Sequence, residues 1–227
     1  TPSNPHGTGS TGNGNRWVEL RQLLGGTTTL VGSGGSLGLL RNPDIDGRYL
    51  EGAPLPLVEN ETFPLNDSNE RQLSDCSWDY KLTELEVAGL DAYVPHIAEG
   101  INQRAHLEFE CQSSSFGGAQ DYTEPNAAHI HSVGLYGADY FNMARDRTTL
   151  VWSPRSNISL YGHTADVATF HRLGGNIALG TDWTYTGSIH PVRELACADE
   201  YNRAYLDGFF TRSEERRVGK EGRSRWS

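Results

Sequence analysis

Residues 127–134, Ala-Ala-His-Ile-His-Ser-Val-Gly, form a short apolar run that ends on a histidine and then a turn. Upstream, Ala-Tyr-Val at 92–94 leads into His96. Downstream, Asn-Ile-Ala-Leu at 176–179 leads towards Asp182. Short apolar runs between glycine-containing or polar turns are typical of buried strands. Each of the three runs therefore predicts a strand with a polar residue near its carboxyl end.

Helices are predicted between and after these strands, so that strand and helix alternate along the second half of the chain. The predicted helices cover residues 103–111, 138–145, 165–173 and 192–205, and a further strand covers 149–152. Repeated βα units of this kind favour a parallel sheet. In an α/β barrel, reactive groups collect at the carboxyl ends of the strands, so residues far apart in sequence can meet in one pocket.

The first half of the chain is less regular. Residues 1–15 are rich in Gly, Ser, Thr and Asn and predict a polar loop, and residues 16–24 carry apolar side chains at helical spacing. Residues 27–31 are β-branched and predict a strand. In the poorly patterned stretch 41–89, one strand is predicted, at 61–65.

Length and charge limit the class of protein. At 227 residues the chain is near the length of one α/β barrel or somewhat short of it, so one domain is expected. The 19 Lys and Arg residues against 29 Asp and Glu residues give a net charge of -10, which argues against a nucleic acid partner. No apolar run approaches the ~20 residues that a membrane helix needs, so no membrane partner is expected. A homo-oligomer is left open.

The two ends of the chain carry separate expectations. The start is polar rather than signal-peptide-like, so we expect the natural start to lie upstream, with the cytoplasm as the favoured compartment. Residues 212–227 resemble the in-frame translation of a common short-read sequencing adapter, departing from it at Gly222, where the adapter encodes cysteine. We expect this tail to be non-native and disordered, which leaves residues 16–211 as the barrel domain.

Four side chains at the predicted strand ends suit a divalent metal and a hydrolytic water. His96 and Glu99 are three apart and would face opposite ways on a continuing strand, so the strand must end between them. His96 could then bind metal while Glu99 shuttles protons. His129 and His131 either form a two-ligand pair or divide into one inward and one core histidine. Asp182 is placed to bind metal, to accept a proton or to cap the next helix.

A serine hydrolase is the rival chemistry. The segment Gly34-Gly35-Ser36-Leu37-Gly38 matches the GxSxG pattern of the nucleophile elbow, with Ser36 as the nucleophile. The surrounding segment is rich in glycine throughout, and the stretch before Pro43 is too short for the helix that should follow. A metal-dependent hydrolase is therefore favoured over a serine hydrolase.

The three cysteines, Cys76, Cys111 and Cys197, are an odd set without CxxC spacing, which disfavours a zinc knuckle. A disulfide between Cys76 and Cys111 is left open. Cys197 is expected to be a small core residue of the last helix.

Taken in order, the motifs resemble the amidohydrolase superfamily of metal-dependent hydrolases, especially its chlorohydrolase, cytosine deaminase-like and S-adenosylhomocysteine deaminase-like branch. The likeness covers most of residues 16–210. It rests on Gly-Thr-Thr-Thr from Gly26, His-Ile-Ala-Glu from His96, Ile-His-Ser-Val-Gly-Leu around His131, Trp-Ser-Pro-Arg-Ser-Asn from Trp152, Leu-Gly-Thr-Asp ending at Asp182, and Arg193-Glu194-Leu195.

The resemblance implies roles for the four strand-end side chains. His96 would be a metal ligand, Glu99 the proton shuttle, His131 a ligand of metal or substrate, and Asp182 a metal ligand and base. The metal would be divalent, with zinc first and iron or manganese as alternatives. The implied reaction is hydrolysis of a non-peptide carbon-nitrogen bond in a small molecule. The expected substrate-binding residues are Trp183, Arg155 and Asn157.

The resemblance also implies a fold class: α/β, an incomplete (β/α)8 barrel of TIM type with its first strand missing. The family's first-strand HxH pair is absent, and His6 stands alone in a polar loop. We read this as truncation, and we expect the fragment by itself to be inactive and to bind metal poorly. A barrel used only for binding is the non-enzymatic alternative.

Overall fold

A computed structural model describes residues 12–32, 35–45, 50, 52, 56–66, 75–183 and 185–211. Its helices are α1 (Gly12–Leu24), α2 (Glu84–Ala88), α3 (Gln103–Glu110), α4 (Gly137–Arg145), α5 (Pro154–Tyr161), α6 (Val167–Arg172) and α7 (Pro191–Tyr205). Its strands are β1 (Val58–Glu61), β2 (Ala92–Ile97), β3 (Ala128–His131), β4 (Thr149–Trp152) and β5 (Asn176–Leu179). The expected tail, 212–227, and most of the expected polar loop lie outside the described residues. Of the helices in the described parts, none is long and apolar enough to cross a membrane.

The five described strands form one parallel sheet in the order β1-β2-β3-β4-β5. Because the strand order follows the sequence without a reversal, every connection moves the chain one strand further in the same direction. Right-handed connections then place the helices between the strands on one face of the sheet. This is the winding of a barrel and not of a doubly wound sheet, which reverses at a switch point. Within the described chain, β1 and β5 are the two edges of an open sheet. The α/β class and an incomplete barrel are thus confirmed.

The two faces of the sheet differ in burial. In β2, Tyr93 and Ile97 are buried, whereas Val94 and His96 are only half-buried. Most of the buried face belongs to an apolar cluster that includes Ile97, Phe109, Met143, Leu150, Phe170 and Ile177, whereas Tyr93 packs with Val87 and Tyr122 in a second cluster. His96, one of the strand-end polar residues, lies on the half-buried face.

Most predicted elements of the second half are confirmed, with boundaries shifted by a few residues at most. Strand 149–152 is confirmed without a shift. Helix α3 begins after Asn102, whose side chain accepts hydrogen bonds from the amides of Arg104 and Ala105. Capping of this kind satisfies amides that have no partner within the helix.

Helix α5 (Pro154–Tyr161) was not predicted, although the sequence carries both of its end signals. Pro154 occupies the first turn, where its missing amide hydrogen costs nothing. Gly162 follows the last turn with a φ of 65°, a left-handed conformation that glycine adopts without strain. The helix has a weak apolar stripe, so periodicity alone does not reveal it.

Two predicted strands of the first half are wrong. Residues 27–31 form a single bridge, between Thr29 and Arg41, in place of a strand. The strand predicted at 61–65 lies earlier, at Val58–Glu61, because Pro64 and the positive φ of Asn66 bend the following residues into a turn. In both places β-branched or apolar composition predicts a strand, but strand propensity depends on the tertiary surroundings more than on the local sequence.

Cys76 and Cys111 form a disulfide, which resolves the pairing that the sequence left open. It fastens the segment that precedes α2 to the end of α3, where the Tyr80 hydroxyl also donates a hydrogen bond to the Cys111 carbonyl oxygen at 2.9 Å. Cys197 is a free, half-buried thiol of α7.

Loss of this disulfide is expected to lower the free energy of unfolding. The bond closes a loop with a sequence separation of 35 residues, for which the loop-entropy relation gives about 4 kcal/mol. Urea unfolding of Cys76→Ser without reductant should show the loss, with Cys197→Ser as the control at near wild-type stability. Equal midpoints for Cys76→Ser and wild type would contradict the expectation.

His129, in the middle of β3, packs against the helix layer. Its ring centroid lies 6.3 Å from that of Phe109, and its Nε2 lies 3.0 Å from the Tyr122 carbonyl oxygen. The two-ligand pair with His131 is therefore wrong. His131 is the last residue of β3, and its φ of 71° breaks the alternation that would place both rings on one face.

Acid is expected to destabilise the chain through His129. Burial lowers the pKa of His129 to about 4 from an ordinary value of 6.5. The unfolded chain therefore binds a proton that the folded chain excludes, and stability falls as pH drops from about 6.5 towards 4, by about 3 kcal/mol in full. His129→Gln keeps a donor for the Tyr122 carbonyl without titrating.

The measurement is urea unfolding at about pH 7 and about pH 4. The acid-induced loss should be smaller in His129→Gln than in wild type and unchanged in His163→Gln, which alters an exposed histidine. Identical acid sensitivity in all three proteins would show that His129 does not carry the effect.

Candidate metal centre

The carboxyl ends of β2 and β3 bring two histidines and a glutamate together. The strands are parallel neighbours, with His96 opposite Ile130 and Ile97 opposite His131. The ring centroids of His96 and His131 lie 5.2 Å apart. One ligand atom from each of these rings and one from the Glu99 carboxylate all lie within 4.8 Å of one another.

Glu99 reaches this group because β2 ends at Ile97, as the spacing of His96 and Glu99 predicts. Ala98 follows with a φ of 53°, which turns the chain out of the strand. The turn is packed tightly against the loop after β3, since a Cβ on Gly134 would lie 2.9 Å from the Gly100 carbonyl oxygen. The close approach of the two loops fixes the backbone that carries Glu99.

The ring of His96 presents its Nε2 to the group. Its Nδ1 lies 3.1 Å from the Glu61 carbonyl oxygen, which can only accept, so Nδ1 carries the hydrogen and Nε2 the lone pair. Burial lowers the pKa of His96, and the neighbouring His131 lowers it further. The neutral ring is the form that binds metal ions.

The ring of His131 is held in the same way. Its Nδ1 lies 2.9 Å from Asn157 Oδ1 on α5. Its Nε2 is buried and has no hydrogen-bond partner among the described residues, although it lies 3.4 Å from Glu99 Oε1. A buried polar atom without a partner is costly, and it marks a place where a ligand is needed.

Glu99 is oriented by a residue that sequence reasoning missed. The Tyr161 hydroxyl donates a hydrogen bond to Glu99 Oε1 at 2.8 Å. Burial raises the pKa of Tyr161, and the charge of Glu99 raises it further, so the phenol stays a donor. Tyr161 lies four residues after Asn157 on α5, and this spacing puts both side chains on one helix face.

The donor set fits a divalent metal ion. Two imidazole nitrogens, each on a ring whose Nδ1 is already bonded, and one carboxylate are ligands that zinc favours. Iron and manganese also accept nitrogen and oxygen donors. The buried Nε2 of His131, which has no hydrogen-bond partner among the described residues, is the observation in this structure that indicates such an ion.

Asp182 lies at the same edge of the sheet and outside the group of three. Its Oδ1 accepts a hydrogen bond from the Trp183 amide at 2.6 Å, and its φ is 53°. β5 is three strands from β2, about 14 Å along a flat sheet. The charge of Asp182 raises the pKa of His96, but burial has the larger effect and lowers it. The role of Asp182 as ligand and base stays a prediction, whereas capping of α7 is done by His190.

The three expected substrate-binding residues have different surroundings. Trp183 is exposed, with its ring centroid 4.6 Å from that of Tyr185. Arg155 lines a cavity of about 520 Å³ beside α7, and its Nε donates to Ser188 Oγ at 3.0 Å. Asn157 is fully buried, and its amide is bonded to other side chains of the chain. Their roles towards a substrate stay predictions.

The segment around Ser36 differs from a nucleophile elbow. Ser36 is buried, and its backbone amide donates to Glu19 Oε1 at 2.9 Å. The same carboxylate accepts from the amides of Gly35 and Leu40, so it ties this segment to α1. Residues 37–40 form turns and bends where an elbow continues into a helix.

Solved structures that resemble the chain include three hydrolases. An amidohydrolase from Brucella melitensis is 19% identical over 69% of this chain and 33% of its own, with a TM-score of 0.44. An adenosine deaminase from Xanthomonas campestris with bound zinc is 17% identical over 86% of this chain and 51% of its own, with a TM-score of 0.55. A triazine hydrolase variant is 12% identical over 92% of this chain and 57% of its own, with a TM-score of 0.59.

The likenesses to the adenosine deaminase and to the triazine hydrolase establish the fold. The sequence itself matches no protein-family model and no curated protein. The chain spans about half the length of the deaminase and the triazine hydrolase. Together with the sequential parallel sheet, these two matches show that the chain shares, in incomplete form, the α/β barrel fold of the deaminase and the triazine hydrolase, which confirms the fold class that the sequence motifs implied.

Proposed function

We propose that this chain is part of a metal-dependent hydrolase that acts on a non-peptide carbon-nitrogen bond of a small molecule. The observation that carries the proposal is the buried Nε2 of His131, which lacks a hydrogen-bond partner among the described residues and faces His96 and Glu99. The zinc in the adenosine deaminase of the same fold agrees with this donor set. Deamination or amide opening is the reaction type.

Each residue of the group has a defined task. His96 and His131 hold the metal through their Nε2 atoms, because their Nδ1 atoms are bonded elsewhere. A divalent ion, when bound, supplies hydroxide at neutral pH by lowering the pKa of water from 15.7 to about 7. Glu99 holds a proton at its carboxylate and delivers it to the leaving nitrogen. Asp182 accepts the proton of the attacking water in this proposal.

Activity is tested in the protein encoded by the full reading frame that contains this sequence. Adenosine and an aminotriazine are suitable probes, since structures of the same fold are an adenosine deaminase and a triazine hydrolase. Release of ammonia that stops with a chelator and returns with zinc is the expected result. The 227-residue chain alone is expected to give no turnover.

The same experiment separates the alternatives. A barrel used only for binding predicts no turnover of any C–N substrate in the zinc-loaded full protein. A serine hydrolase predicts labelling by a serine-directed phosphonate, loss of labelling in Ser36→Ala, and indifference to the chelator. Either outcome would overturn the proposal.

A further inference from the structure

We infer that Asn157 is a positioning residue that fixes the tautomer of His131, and that Thr164 and Trp152 fix the orientation of Asn157. The four side chains form one buried chain of hydrogen bonds that runs from Trp152 at the end of β4, through Thr164 and Asn157, to His131 at the end of β3. The chemical use of this tautomer rests on the proposed function, whereas the tautomer itself does not.

The chain of hydrogen bonds starts at a side chain that can act only as a donor. The Trp152 indole can only donate, and its Nε1 donates to Thr164 Oγ1 at 2.7 Å. Asn157 Nδ2 donates to the same oxygen at 3.1 Å. In the structure Thr164 Oγ1 accepts both hydrogen bonds, which fills its two lone pairs and leaves the amide nitrogen of Asn157 on the side away from His131.

The opposite end of the amide then faces the histidine. Asn157 Oδ1 lies 2.9 Å from His131 Nδ1, and an amide oxygen can only accept, so Nδ1 carries the hydrogen. In a neutral ring the lone pair then resides on Nε2, the atom that faces His96 and Glu99. A reversed amide would place a donor against Nδ1 and move the hydrogen to Nε2, where it would block a metal ion.

A merely structural role would not need these polar groups. Asn157, Thr164 and Trp152 are all buried, and buried polar groups are costly unless fully bonded. Leucine at position 157 and valine at 164 would fill similar volumes without that cost. The polar groups at these positions gain a use if their hydrogen bonds select one form of His131.

The test is the tautomer of His131 in the metal-free 227-residue chain, read from the ¹⁵N chemical shifts of its two ring nitrogens at a pH where the ring is neutral. The signal is assigned by its loss in His131→Gln. Wild type and Thr164→Ser, which keeps the hydroxyl, should show the form protonated at Nδ1. Asn157→Leu and Thr164→Val should show an increased share of the form protonated at Nε2.

Zinc affinity is the second readout. Loss of an outer-shell partner costs ~10–100-fold in metal affinity, so Thr164→Val should bind zinc more weakly than Thr164→Ser by about that factor. An unchanged tautomer in both Asn157→Leu and Thr164→Val would overturn the inference. Should Asn157→Leu fail to fold, the comparison of Thr164→Val with Thr164→Ser decides alone. A shifted tautomer in these variants, combined with a full-reading-frame protein that binds no zinc, would leave the inference standing and count against the proposed function.

Discussion

Glu99→Gln is expected to lower kcat by ~10²–10⁴-fold in the zinc-saturated full-length protein, the range that general acid-base groups contribute. Glutamine keeps the volume and an oxygen that accepts the hydrogen bond from Tyr161, but it cannot hold a proton and deliver it to the leaving nitrogen. KM should change far less, because the substitution removes an interaction of the transition state. Steady-state kinetics on the substrate found in the screen measures both constants.

The matched control is Glu110→Gln, which makes the same chemical change at the exposed end of α3. It should leave kcat within about twofold of wild type. Zinc content is measured in both variants, because Glu99 belongs to the candidate ligand group. A Glu99→Gln protein with full zinc content and near wild-type kcat would remove Glu99 from the proton path.

Tyr161 supports the role of Glu99, because its hydroxyl donates a hydrogen bond to Glu99 Oε1. The half-buried phenol positions the carboxylate, and Asn157 on the same helix face positions His131. One short helix, α5, thus orients two of the three grouped side chains. Because both contacts come from positions four apart, a rotation of α5 would disturb both together.

Strand ends were the most predictable part of this fold. The strands that carry His96 and His131 were recognised from short apolar runs closed by polar turns, and such runs depend on neighbours in sequence. The break between His96 and Glu99 followed from strand alternation alone. These local rules were sufficient because the site lies where each strand stops.

Features that depend on tertiary packing were not predictable. Alternation puts His129 and His131 on one face, but the positive φ of His131 separates them, and nothing in the local sequence specifies that angle. The contact between Tyr161 and Glu99 joins residues 62 positions apart. Asp182 was expected beside the histidines, yet the curvature of the sheet and its bond to the Trp183 amide decide how close it comes.

Loss of zinc binding is the second large effect, and it is expected for His96→Ala and for His131→Ala in the protein encoded by the full reading frame. Each replacement removes one imidazole nitrogen from a group in which two histidines and one carboxylate are close enough to share an ion. The loss should exceed the ~10–100-fold that an outer-shell partner is worth, since a direct ligand disappears. Competition against a chromophoric chelator at neutral pH measures the affinity and the stoichiometry.

The control is His163→Ala, because His163 is exposed and lies outside the group. Wild type and His163→Ala should bind one zinc with equal affinity, whereas neither ligand variant should compete with the chelator. Circular dichroism distinguishes loss of a ligand from loss of the fold. If folded His96→Ala and His131→Ala proteins bound zinc as wild type does, the ion would have to sit elsewhere, and the orphaned Nε2 of His131 would no longer mark a metal site.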